Sequence, residues 1–132
     1  MTAASDPALL TLEDWFALGE DESLRRAELC RGVLEVSPSP RRAHARAIRR
    51  LANAIEVQLP AGFDVYDEVD VVLQRTPATV RQPDVIVLAS SAPDPLTAAD
   101  VLLAIEILSP GSRRTDRVIK RAEYAAAGIR HY

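Results

Sequence analysis

The chain has 132 residues, enough for one hydrophobic core and too few for two. Its net charge of −3 excludes a protein that coats nucleic acid over its whole surface, although it leaves room for a local basic face. The single cysteine, Cys30, excludes an internal disulfide and a cysteine-based zinc site. No apolar run approaches the ~20 residues of a membrane-spanning helix, and the N-terminus lacks the basic start of a secretory signal. We therefore expect a cytoplasmic protein without membrane contacts.

The first part of the chain predicts a short helical extension, residues 1–26, within a single domain of residues 1–132. Thr11 is a plausible N-cap with Asp14 three positions later, and Trp15 is the expected core anchor. Ala27 to Val36 then reads as a β-hairpin that turns at Arg31-Gly32. Glu28 and Glu35 fall on its polar positions, where a solvated strand face is the simplest interpretation.

A first long helix is predicted from about Arg41 to Leu59, with Ser39 as its N-cap and Pro40 at its first position. One stripe is apolar, and His44 lies along it, either as a buried histidine or directed toward nearby acids. The opposite side carries four arginines that suit either a solvated face or phosphate contacts: Arg42, Arg46, Arg49 and Arg50.

Two dense apolar segments follow, and each carries one acid. Before them, apolar and polar residues alternate from Phe63 to Gln74, which predicts a half-buried strand or a bent pair of strands. The segments Gln82 to Ala89 and Val101 to Leu108 then read as strands covered on both faces. We expect Asp84 and Glu106 to meet at the ends of these neighbouring strands.

A buried carboxylate costs several kcal/mol unless a partner compensates its charge. Asp84 and Glu106 together, with no basic residue in either strand, suit a hard divalent cation bound through oxygen. Two simpler interpretations remain open, since Glu106 could pair with an arginine from a packed helix and Asp84 could cap the turn after Pro83.

A second long helix is predicted from about Arg113 to Ala127, ending at Gly128, with Val118, Ala122 and Ala125 as its buried seam. Asp116 and Lys120 are one turn apart and could form a simple ion pair. However, Lys120 is the only lysine beside fifteen arginines, which favours a slot that requires a compact ammonium.

The order of elements predicts an α/β (α+β) fold, a mixed sheet flanked by helices with a site at the sheet edge. Mg²⁺ or Mn²⁺ held by Asp84 and Glu106 would activate water and stabilise the charge on an attacked phosphodiester. Lys120 would stabilise the same charge.

Several stretches resemble the Uma-type restriction endonuclease family within the PD-(D/E)XK nuclease superfamily. The matching stretches are Ala27–Leu34, Ser37–Pro40 with His44 and Leu51, Pro83–Val85, Ile105–Pro110, Asp116, Lys120, Tyr124 and Gly128–Tyr132. The resemblance implies a restriction-endonuclease-like fold and metal-dependent cleavage of DNA, with Asp84 and Glu106 as metal ligands. Glu28, His44 and Asp116 match family positions and are expected to line the pocket.

Two departures accompany the resemblance. The lysine expected two residues after the glutamate is Leu108 here, which nominates Lys120 from the following helix. The family pattern also continues past Tyr132 with a further core strand, so we expect the domain to be cut short there, with an exposed sheet edge that could support a homodimer.

Three functions follow from these residues. The first is a metal-dependent DNA endonuclease. The second is an inactive or truncated relative that binds DNA or protein, through the arginines of residues 42–50. The third is a structural or dimerisation domain whose acids form internal ion pairs.

Overall fold

The computed structural model describes residues 8–110 and 114–132, apart from the side chain at position 115. Within these ranges the chain forms three α-helices, seven β-strands and two short 3₁₀ turns. The helices are α1 (Leu12–Ala17), α2 (Arg42–Glu56) and α3 (Arg114–Ala127), and the strands are β1 (Ala27–Cys30), β2 (Val33–Val36), β3 (Phe63–Asp67), β4 (Val71–Gln74), β5 (Thr79–Arg81), β6 (Val85–Ala89) and β7 (Val101–Ile105). The expected α/β class is confirmed.

The strands divide into two antiparallel sheets, with the orders β2-β1-β5-β4 and β3-β6-β7. Parallel pairing occurs in isolated bridges, Val72 with Thr97 and Leu103 with His131. The second bridge lies in the segment after Gly128, where the Ala104 N–H donates to the His131 carbonyl over 3.0 Å. The expected mixed sheet is thus divided between two sheets.

The predicted N-terminal extension contributes to the core through Leu12 and Trp15, and its residues 1–7 lie outside the described part of the chain. Thr11 caps α1 as predicted, and its hydroxyl accepts from the Asp14 N–H while the Asp14 carboxylate accepts from the Thr11 N–H. Trp15 is buried and packs with Leu12 and Leu29 in one of the two apolar clusters. Because residues of the hairpin β1–β2 belong to the same cluster, α1 packs against the sheet that carries Glu28.

The predicted start of α2 was wrong. Arg41, in an extended conformation, is the N-cap, so the helix begins three residues after Ser39 and ends at Glu56. Its apolar stripe is confirmed, since Ile48 is buried and the helix packs against β3 and β6. This packing sets His44 over the start of β6.

The alternating segment from Phe63 to Gln74 is a bent pair of strands, as one of the two interpretations predicted. β3 belongs to one sheet and β4 to the other. Between them Glu68 has φ +54 and accepts from Arg26 over 2.8 Å. The bend lets a single alternating pattern serve two sheets.

β6 is the centre of its sheet and is buried along nearly its whole length. β7 is shorter than predicted and ends at Ile105, so Glu106 follows the strand instead of interrupting it. An acid inside a fully covered strand would be unusual, whereas the residue after a strand can turn toward a polar site.

The predicted buried seam of α3 was wrong. Val118 is 60% exposed and Ala122 and Ala125 are exposed, whereas Tyr124 is fully buried and Lys120 is half-buried. Apolar periodicity assigns the polar residues to solvent, but in the structure Lys120 contacts Glu28 on β1 and Glu106 just after β7, and Glu123 contacts Arg81 on β5. No helix in the described ranges is long and apolar enough to cross a bilayer.

Candidate functional site

The register of β6 and β7 brings the two predicted acids together. Val85 pairs with Ile105, so Asp84 and Glu106 are the next residues beyond that pair at one end of the sheet. Directly opposed residues of an antiparallel pair carry their side chains on the same face. Both acids are largely buried, so their carboxylates share one water-poor environment.

Asp84 is held by two other parts of the chain. Its Oδ2 accepts from the Ile107 N–H over 2.6 Å, and its Oδ1 lies 3.2 Å from His44 Nε2 on α2. The bond to Ile107 crosses from β6 to the segment after β7, so Asp84 does not merely cap its own turn. Its carboxylate is therefore fixed relative to Glu106.

Glu106 accepts a hydrogen bond over 2.6 Å from the hydroxyl of Tyr124 on α3. Burial raises the pKa of Glu106 to about 7, although Lys120 and Tyr124 oppose the rise, while Asp84 adds to it by repulsion. Since burial is the largest cause of the rise, the ionised form of Glu106 is costly in these surroundings. Another positive charge at this place would be favourable.

Lys120 stands between two carboxylates. Its Nζ lies 3.2 Å from Glu28 Oε1 and 3.7 Å from Glu106 Oε1. Burial lowers the pKa of Lys120, but Glu106 and Glu28 outweigh it and the net shift is upward. The side chain is therefore an ammonium at neutral pH. Asp116 is exposed, and no ion pair with Lys120 is formed within the described part of the chain.

Glu28 does not lie on a solvated strand face, as the polar pattern of the hairpin predicted, but is 8% exposed. Its Oε1 accepts from Lys120 and from the Gln82 N–H, and its Oε2 accepts from Arg81 over 3.1 Å. Because Gln82 is two residues before Asp84, Glu28 ties the start of β6 to α3.

Arg81 is the centre of an ion-pair network that the sequence did not reveal. Its guanidinium is 3% exposed and binds Glu28, Glu35 and Glu123, the last through Nε at 2.7 Å and Nη2 at 3.0 Å. Burial lowers the pKa of Arg81, yet its carboxylate partners hold it above the usual value. Glu28 thus contacts both Arg81 and Lys120, and Lys120 also lies near Glu106.

The donor set at the strand ends suits a hard cation. Asp84 and Glu106 offer carboxylate oxygens, and Mg²⁺ commonly binds one or two carboxylates while keeping several waters. The described residues contain no cluster of three or more His, Cys, Asp or Glu arranged for a metal ion. A cation here would have the carboxylates of Asp84 and Glu106 as side-chain ligands, with further oxygens from water or substrate.

The predicted DNA-contact residues of α2 lie apart from these acids. Arg42, Arg46 and Arg49 are exposed, and at about 100° per residue they point roughly 140–160° away from His44. Since His44 faces Asp84, this arginine face and Arg50 beside it are directed away from the strand ends.

Residues 10–132 match the Uma2 family, described as "Putative restriction endonuclease". The chain belongs to this family. The matched range contains Glu28, Asp84, Glu106 and Lys120, and the membership supports a nuclease function. No curated protein matches the chain significantly.

A crystal structure described as a putative nuclease belonging to DUF820, from Anabaena variabilis ATCC 29413, has a similar fold. The TM-score is 0.66 at 19% sequence identity, over 87% of this chain and 67% of the other. At this identity the similarity concerns the fold alone.

Proposed function

We propose that this chain is an endonuclease that hydrolyses DNA phosphodiester bonds with Mg²⁺ or Mn²⁺ held by Asp84 and Glu106. The observation that carries the proposal is the position of the two carboxylates, opposed at one end of the β6–β7 pair with the Lys120 ammonium 3.7 Å from Glu106. Family membership supplies the reaction class. Metal-dependent hydrolysis of a phosphodiester uses carboxylates to hold the cation and a fixed positive charge to stabilise the attacked phosphate, in a site shielded from water.

Each acid has a defined orientation. Asp84 is aligned by the Ile107 N–H and by His44, and Glu106 is aligned by Tyr124. When bound, a divalent cation lowers the pKa of a water molecule and polarises the phosphate oxygens. The protein contributes by fixing the orientation of the Asp84 and Glu106 carboxylates, which are largely shielded from solvent.

Lys120 supplies the fixed positive charge. Glu28 holds its ammonium from one side, so the group remains near Glu106 without depending on substrate. A positioned cation stabilises negative charge that grows on the phosphate during attack. Leu108, at the usual lysine position of the superfamily pattern, is 63% exposed and offers no charge.

His44 is a positioning residue in this scheme. Its Nε2 contacts Asp84, while its buried Nδ1 has no hydrogen-bond partner within the described residues. A proton on Nε2 would make His44 the donor and Asp84 Oδ1 the acceptor of this hydrogen bond. This arrangement directs the second oxygen of Asp84 to Ile107 and limits the rotation of the carboxylate.

Nicking of supercoiled plasmid DNA in Mg²⁺ or Mn²⁺ tests the proposal. We expect Asp84→Asn, Glu106→Gln and Lys120→Ala each to lower the rate by about 10²-fold or more, as loss of a transition-state contact does. Asp116→Asn is the matched control, since it removes an exposed acid of α3 outside the cluster. Equal nicking by Lys120→Ala and wild type would remove Lys120 from the mechanism.

A binding module without cleavage is the second candidate, favoured by the four exposed arginines of α2. It predicts metal-independent DNA binding that is lost in Arg42→Gln/Arg46→Gln/Arg49→Gln, together with no nicking by wild type. Nicking that depends on metal and on Asp84 would exclude it.

A further inference from the structure

A cavity of about 650 Å³ opens beside Glu106, between the end of β7 and one side of α3. Its polar lining combines Glu106 with arginines from α3, and its apolar lining comes from β7, Val118 and Leu108. The arginines are Arg114, Arg117 and Arg121, and Tyr132 closes one side. A proposed metal ligand and a set of cations thus border the same space.

The three arginines form one row. Positions i, i+3 and i+7 of a helix share a face, and from Arg114 to Arg121 the row spans about 10 Å. All three side chains are exposed. Asp116 is turned away from this row by the helical repeat, so the exposed acid of α3 does not neutralise it.

The arginines in this row have no carboxylate partner within the described ranges. Arg26 and Arg81, by contrast, are engaged with glutamates at 3.1 Å or less. In a chain of net charge −3, three unpaired guanidinium groups beside a buried acid form a local cationic surface. Guanidinium groups bind phosphate through paired N–H donors.

Tyr132 adds an aromatic surface to the cavity. Its ring packs against Tyr124 with centroids 5.0 Å apart and is 49% exposed. Exposed aromatic and apolar side chains next to arginines suit a sugar and base as well as a phosphate. The volume lies within the ~300–1,000 Å³ of small-ligand pockets, so one nucleotide unit of a strand can enter.

We propose that this cavity binds the DNA strand next to the phosphodiester that is cut, with phosphates on the row Arg114, Arg117 and Arg121. The inference rests on the proposed nuclease function for its choice of ligand. It places the substrate on α3 and not on the arginines of α2, because the α3 row borders Glu106 whereas the α2 arginines point away from His44.

Fluorescence anisotropy of a fluorescein-labelled DNA oligonucleotide in EDTA tests this directly, since no cleavage occurs without metal. Two triple variants remove the same charge: Arg114→Gln/Arg117→Gln/Arg121→Gln on α3 and Arg42→Gln/Arg46→Gln/Arg49→Gln on α2. We expect the α3 variant to bind about tenfold more weakly or worse at low salt, with a salt slope reduced by about 2–3. The α2 variant should remain close to wild type.

A charge-retaining triple, Arg114→Lys/Arg117→Lys/Arg121→Lys, should recover most of the lost affinity. Circular dichroism confirms that each variant is folded, which is expected because all three residues are exposed. The inference is overturned if the α3 variant binds like wild type, if both triples lose affinity equally, or if wild type binds no oligonucleotide.

The outcomes separate this inference from the proposed nuclease activity. Binding through α3 without any metal-dependent nicking would contradict the activity and leave the cavity assignment intact. Nicking by wild type, with unchanged affinity in the α3 variant, would contradict the cavity assignment alone.

Discussion

Two groups of acids lie at neighbouring places in this fold and are compensated very differently. Around Arg81, three glutamates surround one deeply buried guanidinium and form short ion pairs with it. At the ends of β6 and β7, Asp84 lies 3.2 Å from His44, and Glu106 lies 3.7 Å from the Lys120 ammonium. Burial raises the pKa of Glu106 to about 7, although Lys120 and Tyr124 oppose the rise.

Residue type alone does not distinguish an acid that is already paired from one whose charge is available to a cation. Glu28 is as buried as Asp84, but its two oxygens already accept from Arg81, Gln82 and Lys120. Asp84 and Glu106 are oriented by neutral donors, a backbone N–H and a tyrosine hydroxyl. Hydrogen bonds fix their geometry and leave the charge available for a cation.

Replacement of Arg81 should destabilise the fold, because Arg81 holds three glutamates together. Arg81→Met leaves buried glutamates without their cation, and breaking a buried pair in this way typically costs about 3–5 kcal/mol. Urea denaturation measures the loss in free energy of unfolding. Arg26→Met, at a more exposed pair with Glu68, is the control, and equal losses in both variants would contradict the special role of Arg81.

The contribution of Glu106 to the free energy of unfolding should depend on pH. Glu106 has a pKa of about 7 in the folded chain against an ordinary 4.5, so between these values the folded state binds more protons than the unfolded state. Its contribution to the free energy of unfolding therefore decreases as pH rises from about 4.5 to about 7, by at most ~3 kcal/mol.

Denaturation of wild type and Glu106→Gln across this range, in EDTA, isolates that contribution. We expect the variant to gain stability relative to wild type as pH rises. A difference that stays constant from pH 4.5 to 7.5 would show that Glu106 is fully compensated and would remove the contrast with Glu28.

A smaller effect should follow from the tyrosine that orients Glu106. Tyr124→Phe removes the 2.6 Å hydrogen bond and keeps the ring, and a hydrogen bond to a charged group contributes about 1.5–3 kcal/mol, less when the acid is partly protonated. We expect a loss near the low end at pH 8 and a smaller loss at pH 5. Tyr66→Phe, at an exposed tyrosine, should change stability by less than ~0.5 kcal/mol.

Much of this arrangement could be read from local sequence. The capped first helix, the hairpin at Gly32 and the two apolar segments with one acid each are short-range patterns, and the structure contains all of them. Asp84 and Glu106 were candidates because acids are rare in such segments. Lys120 was a candidate because it stands alone among arginines.

Other features depend on pairing between distant residues and could not be read in this way. The division into two sheets requires β4 to leave the β3 direction at Glu68, and alternation alone does not distinguish that bend from a longer strand. Arg81 sits in a short strand, where its partners come from β1, β2 and α3. The same long-range contacts turn Lys120 and Glu123 inward and leave Val118 exposed.

We propose that Asp84 and Glu106 hold one cation together, and calorimetric titration with Mn²⁺ measures that binding. Wild type and the Asp116→Asn control should bind one ion per chain, whereas Asp84→Asn and Glu106→Gln should each weaken binding by at least about tenfold. Binding that survives unchanged in either variant, or a wild-type chain that binds no Mn²⁺, would contradict the claim.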